Sequence, residues 1–221
     1  MKLQYLGDSR DSFKWDYHDY LTSSLSYPLF NVALMMTPDD KTNEGSTKPH
    51  IYKKASSEII NLCRDLKKHK DVELITQLPS RTNADYEVAL HKDSTHITNN
   101  NRREYFSDIT CEKKQVFFLD PDNGFEPEKK YSAKHVLYSD IENILGQISE
   151  QSIISVFQYF RRVPFPTDFA RIRQRLISGY ASAIYWHSLM FVAISKSEKI
   201  IDKVRSVNRK YSQVRPVIVI Q

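Results

Sequence analysis

The stretch Gln115-Val116-Phe117-Phe118-Leu119-Asp120-Pro121-Asp122-Asn123-Gly124-Phe125-Glu126 decides how the rest of the chain is read. Val116 to Leu119 form a short continuous apolar run, the pattern of a strand buried on both faces of a sheet. Proline ends the run, and Asp122-Asn123-Gly124 is a turn signal. Asp120, Asp122 and Glu126 therefore gather just past the carboxyl end of a predicted central strand. In open α/β sheets, that is where ligands bind.

Outward from this strand, other apolar runs alternate with amphipathic segments. Strands are predicted at about 32–36, 72–76, 86–91, 153–160, 189–195 and 216–220. The helices between them show apolar spacing, as in Ile59, Cys63 and Leu66, or Ile200, Val204, Val207 and Tyr211. Ser9 is expected to cap a first helix, Ser139 and Glu142 to form a capping box, and Thr167 to cap a later helix that runs to Tyr180. The expected fold is α/β, a single domain over 1–221, built as a three-layer sandwich on a mostly parallel, Rossmann-like sheet.

Composition sets limits. The 221 residues suffice for a substantial core, and 40% hydrophobic with 27% charged residues suits a globular protein in water. A formal charge of +5 permits a nucleic-acid partner without requiring one. Cys63 and Cys111 have no ligand-like spacing, which argues against a disulfide scaffold or a cysteine zinc site. With no apolar run of membrane-spanning length and no signal-peptide pattern, the expected location is the cytoplasm and no membrane partner is expected.

The seven predicted strands match the strand number of class I methyltransferases, and Asp120-Pro121 ends the fourth, where that fold carries an Asp/Asn-Pro-Pro-Tyr motif. Tyr5-x-Gly7-Asp8-x-x-Asp11-x-Phe13-Lys14 also resembles the leader helix of bacterial ribosomal-RNA adenine-N6 methyltransferases. The resemblance implies S-adenosylmethionine as cofactor, with Asp120 accepting a hydrogen bond from a target amine. The chain departs from it where the cofactor would sit. Thr37-Pro38-Asp39-Asp40-Lys41 replaces the glycine-rich turn, Thr76-Gln77-Leu78 supplies no ribose-binding acid, and Asp122 and Asn123 replace the second proline and the aromatic.

Acids stand in place of that cofactor site. If the sheet is ordered as in the resembled fold, Asp39 and Asp40 face Asp120 and Asp122 across one crevice. Carboxylates so close raise one another's pKa or require a cation. Oxygen-rich sites suit Mg²⁺ or Mn²⁺, which hold phosphates and activate water. Lys14, Arg161 and Arg162 are expected to clamp phosphate oxygens, and Glu126 to orient the water. The expectation is a metal-dependent hydrolase of nucleic-acid or nucleotide phosphates, with metal on Asp39, Asp40, Asp120 and Asp122.

Two alternatives remain at this point: a divergent S-adenosylmethionine-dependent methyltransferase and a non-catalytic interaction module. Pro121, Asp122, Glu128 and Lys130 spell a shortened Pro-Asp…Glu-x-Lys motif, read as coincidence. Lys199, Lys203 and Arg209 lie in a basic run that reads as a solvated face or a phosphate-contacting surface. His187 is expected to be packed and hydrogen-bonded, and Cys63 to be core.

Overall fold

Strand β3 (Gln115–Leu119) is buried at every position, and the chain is arranged around it. A computed structural model describes residues 1–40, 42, 47, 48, 52, 54–109 and 113–220; Gly45, Cys111 and most of the polar loop from Lys41 to Pro49 lie outside the described residues. The other strands of the main sheet are β1 (Leu29–Ala33), β2 (Glu87–Leu90), β6 (Ile153–Tyr159), β7 (Tyr180–Trp186), β8 (Leu189–Ser195) and β9 (Ile218–Ile220). A short ribbon pairs β4 (Gly124–Phe125) with β5 (His135–Val136). The helices are α1 (Ser9–Ser24), α2 (Ser57–His69), α3 (Leu78–Thr82), α4 (Arg102–Tyr105), α5 (Tyr138–Gln147), α6 (Phe165–Arg175) and α7 (Glu198–Val214).

The sheet order is β2-β1-β3-β6-β8-β7-β9. The first four strands are parallel, whereas β8 pairs antiparallel with β6 and β7, and β9 antiparallel with β7. The expected mostly parallel sheet is therefore a mixed one. From β1 the chain steps outward to β2, then returns to the other side of β1 as β3. That reversal is a topological switch point, and it opens a crevice at the carboxyl ends of β1 and β3.

Alternation along the strands divides the interior in two. Val116 and Phe118 of β3 join a cluster containing Phe13, Trp15, Leu62 and Val204. Phe117 and Leu119 face a second cluster with Ile141, Ile144, Phe169 and Ile172. Helix α1 is buried on nearly every side, with Phe13, Trp15, Tyr17, His18 and Leu21 all inaccessible. His18 shows how a polar ring survives there. Its Nδ1 lies 2.7 Å from the Lys14 carbonyl and its Nε2 2.8 Å from Ser155 Oγ. A carbonyl only accepts, so Nδ1 carries the proton, and burial pushes the ring pKa down to about 3.

Two predicted elements are corrected. Val72–Gln77 is a 3-10 helix, because Asp71 accepts from the Glu73 N–H and nucleates a tight turn in which only Ile75 is buried. Tyr180–Trp186, read in part as helix, is strand β7: α6 stops at Arg175, and Gly179 turns the chain at φ +88°. The caps shift as well. Asp8 rather than Ser9 caps α1, Asp140 accepts from the Leu137 N–H at the start of α5, and α6 begins at Phe165, before Thr167. His187 is exposed at the tip of the β7–β8 hairpin, with φ 54°, and is not packed. Cys63 is buried core, as expected. Among the described residues, no helix is long and apolar enough to cross a membrane.

Candidate functional site

Helix α1 enters the switch-point crevice through a turn that only glycine permits. Gly7 has φ +73°, and a Cβ there would lie 2.3 Å from the Cys63 carbonyl oxygen of α2. The close approach aims the first turns of α1 across the carboxyl end of β3. Asp8, Asp11 and Lys14 follow at helical spacing and share one face. All three are buried and line a crevice of about 330 Å³, together with Asp120, Asp122 and Tyr159.

Lys14 ties this face to the sheet. Its Nζ lies 2.8 Å from Asp11 Oδ1 and 2.7 Å from Asp120 Oδ2, bridging α1 and the end of β3. Burial pulls its pKa down, but Asp11 and Asp120 outweigh that and hold it above the ordinary lysine value. Lys14 is therefore a fixed cation, not a proton carrier. Asp11 Oδ2 also accepts from the Gly7 N–H at 2.7 Å, which locks the entering turn to the same charge cluster.

Asp8 differs from Asp11, Asp120 and Asp122 because, among the described residues, no cationic group is bonded to it. Its Oδ1 accepts from the Arg10 and Asp11 N–H groups at 2.8 and 3.3 Å, as an N-cap should. Burial and the neighbouring Asp11 push its carboxyl pKa up to about 6. A carboxyl poised there can exchange a proton near neutral pH.

Asp122 lies on the opposite wall. Thr37 Oγ1 donates to its Oδ2 at 2.6 Å, and the Met1 amino group is 3.3 Å from its Oδ1. The side chain is only 6% exposed, yet Oδ1 accepts no hydrogen bond. Arg10 and Lys134 bring positive charge to the rim, with the Arg10 guanidinium 4.9 Å from the Tyr159 ring centroid.

The remaining residues singled out in the sequence are dispersed. β1 and β3 do lie side by side, Ala33 opposite Leu119, as the resembled fold implies. Asp40 reaches the crevice rim, but its carboxylate is exposed and engaged by Lys2, Gln4 and Thr42, while Asp39 accepts from the Gln4 N–H at 3.1 Å. Neither converges with Asp120 and Asp122, and among the described residues no three His, Cys, Asp or Glu side chains form a metal-ligating group. Glu126 accepts from the Tyr138 N–H at 2.8 Å and lies in a neighbouring cavity, not in the crevice. Arg161 is held there too, by Asp168 at 2.8 Å and the Phe125 carbonyl at 2.9 Å. Arg162 is exposed, with φ 62°. Glu128 pairs with Arg171 in that cavity, away from Asp122, so the shortened nuclease motif is indeed not assembled in the crevice.

Lys199, Lys203 and Arg209 are exposed on α7. Helix α7 starts at the opposite end of the sheet, since Ser195 Oγ donates to the Ser152 carbonyl and Lys196 Nζ to the Ile148 carbonyl, both just before β6. The sequence reading missed Asp8, Asp11, Arg10 and Lys134 as parts of a site. Asp8, Asp11 and Lys14 at i, i+3 and i+6 were a visible signal for the first two.

S-adenosylmethionine finds a poor match among these residues. The Leu34 and Met35 carbonyls at the end of β1 accept from the Met1 amino group at 2.9 and 2.7 Å, where the resembled family has its glycine-rich turn. The first acid after β2 is Asp93, which does not line the crevice. A scan against protein-family models finds no match, and searches of curated proteins and of solved structures find none either.

Proposed function

We propose that the crevice at the carboxyl ends of β1 and β3 is the reaction centre of a metal-assisted hydrolase acting on nucleic-acid or nucleotide phosphates, carried on a three-layer, Rossmann-like scaffold. The observation that carries this reading is Asp122, a carboxylate buried in the crevice wall beside Asp120, whose Oδ1 is met by the Met1 amino group at 3.3 Å rather than by a side-chain donor. Mg²⁺ is commonly held by one or two carboxylates plus substrate phosphates, and keeps several waters. Asp122 and Asp120 fit that requirement without a third acid. A bound Mg²⁺ or Mn²⁺ would supply charge to the phosphoryl oxygens and lower the pKa of a water.

The chain's own groups divide the remaining work. Arg10 and Lys134 bind phosphate oxygens at the rim. Lys14 stays protonated and holds Asp120 in place from the α1 side. Asp8, through its Oδ2, takes a proton from the attacking water. Hydrolysis of a phosphodiester probe with Mn²⁺ tests the reading. Asp122→Ala should abolish turnover and weaken Mn²⁺ binding measured by calorimetry. Metal-dependent activity that survives both Asp120→Ala and Asp122→Ala would overturn it.

A methyltransferase reading has one observation in its favour, the adjacent and parallel placement of β1 and the Asp120-Pro121 strand. The poor match of the β1 turn counts against it. Calorimetry with S-adenosylmethionine separates the two: binding near the micromolar range, without Mn²⁺ binding, would replace the hydrolase with the methyltransferase.

A further inference from the structure

A second cavity, of about 320 Å³, opens on the same end of the molecule between the loop after β4 and helix α6. It adjoins the crevice through the β4–β5 ribbon, where the Asn123 N–H donates to the Lys134 carbonyl, and both of these residues line the crevice. Gly124 makes the ribbon hug the sheet. With φ +92°, it leaves Gln158 Oε1 where a Cβ would stand, and that oxygen accepts from the Phe125 N–H at 2.9 Å.

Charge on this face is one-sided. Residues 126–134 and 161–175 carry eight lysines and arginines against three acids. All three acids are paired here, buried Asp168 with Arg161, Glu128 with Arg171 and Glu126 with Arg175, which leaves an excess of five cations on the face. Arg171 and Arg175 stand four residues apart on α6, and the Arg175 guanidinium lies 4.3 Å from the Tyr138 ring centroid. Two of the molecule's exposed large hydrophobic side chains flank the same face: Tyr131 in the lysine-bearing loop, 53% exposed, and Phe160 at the end of β6, 41% exposed. A solvated basic face has no need of exposed aromatics. A groove that tracks a sugar–phosphate backbone and stacks bases does.

We infer that this face, from Lys134 at the crevice rim across the 126–134 loop to α6, binds single-stranded nucleic acid and feeds it to the crevice. The inference rests on the proposed hydrolase reading and narrows its substrate to a polymer. The basic run on α7 is then a solvated face, since Lys199 and Lys203 lie near the far end of the sheet, where α7 begins.

Fluorescence anisotropy of a labelled oligothymidylate at low salt, without metal, tests this. Lys130→Ala/Arg171→Ala/Arg173→Ala should weaken binding at least about tenfold and flatten its salt dependence, because each lost phosphate contact releases fewer counterions. Tyr131→Ala/Phe160→Ala should weaken it at least about fivefold, the lower bound for one lost base stack. Lys199→Ala/Lys203→Ala/Arg209→Ala should stay within about twofold of the parent, as expected for solvated charges away from the strand. Thermal melts identify any variant that fails to fold, in which case Arg173→Ala and Phe160→Ala singly carry the test. Equal weakening by the α7 triple, no weakening by the α6-face variants, or no binding by the parent would overturn the inference. A mononucleotide phosphodiester separates the two proposals. Its Mn²⁺-dependent hydrolysis without oligonucleotide binding removes only the track, whereas α6-dependent binding without metal-dependent hydrolysis removes only the hydrolase.

Discussion

The two ends of helix α1 stand in two different cavities, and they solve the burial of a carboxylate in opposite ways. At its start, Asp11 shares the cation Lys14 with Asp120 in a crevice of about 330 Å³. Toward its other end, Asp19 and Tyr20 line a larger cavity of about 960 Å³ near the amino ends of β1 and β2. There Asp19 accepts from two neutral hydroxyls, Thr82 at 2.8 Å and Tyr86 at 2.7 Å. Among the described residues no buried cation lines the larger void, and neutral hydroxyls hold Asp19 there. The smaller one concentrates charges that are costly to bury and useful for chemistry. Size alone favours the end that holds no buried ion pair among the described residues.

The sharpest way to break this comparison is to remove the shared cation. Lys14→Met should destabilise the fold by about 3–5 kcal/mol, because it leaves Asp11 and Asp120 buried without a partner. Adding Asp11→Asn and Asp120→Asn to that variant should restore most of the loss. At the other end, Asp19→Asn keeps an acceptor for both hydroxyls and should cost about 1 kcal/mol or less. Urea denaturation measures all three. Similar losses for Lys14→Met and Asp19→Asn would mean that the two ends do not differ as their contacts indicate.

The next effect concerns chemistry rather than stability. Asp122→Asn preserves the shape of the crevice wall and an acceptor for Thr37 Oγ1 but removes the charge facing the Met1 amino group, so its melting temperature should fall by less than that of Lys14→Met. Its Mn²⁺ affinity should fall by more than the roughly 10–100-fold that outer-shell changes cost a metal site. Removing the metal with a chelator should abolish turnover in the parent and lower its melting temperature only by the small amount that binding linkage requires, since Lys14 and not the metal neutralises Asp120. A large drop in melting temperature on chelation would make the ion a structural part of this end.

How much of this was legible depends on where each element's specification resides. β3, β6 and β8 carry it locally, in continuous β-branched and aromatic runs, and all three were read within one residue. β7 does not: Ala181, Ser182 and Ala183 have little strand signal, and their conformation follows from pairing with β8 along its whole length. Val72–Thr76 had the residues of a strand but also Asp71, which bonds the Glu73 N–H and turns the chain. The expected seven strands thus equal the seven of the main sheet only through one error offsetting another, and the β4–β5 ribbon adds two more. The site shows the same division. Asp120 and Asp122 were readable from a strand stopped by proline. For Asp8 and Asp11 only the shared helical face with Lys14 was readable, because their place in the crevice arises when the Gly7 turn swings α1 over the end of β3. Asp39 lies outside the crevice and Asp40 lines it only at the rim for the converse reason, as Lys2 and Gln4 engage them on the exposed side.

The smallest effect separates Asp8 from the paired acids beside it. Its folded pKa of about 6 stands above the ordinary 3.8, so between those values the folded chain binds a proton that the unfolded chain has released. Linkage then requires stability to fall as pH rises through that window and to be unaffected by Asp8 outside it. Each pH unit of the window corresponds to ~1.36 kcal/mol, which puts the whole effect on the order of 3 kcal/mol. Asn is as good an N-cap as Asp and cannot ionise. Asp8→Asn should therefore match the parent below pH 4 and exceed it in stability at pH 7, while losing the rise in hydrolysis as Asp8 deprotonates near pH 6. Urea titrations of both proteins at pH 3.5, 5 and 7 read the difference directly. If Asp8→Asn is the less stable protein at pH 7, Asp8 is a carboxylate stabilised by the Lys14 cluster like its neighbours, and the crevice holds no group poised to take a proton.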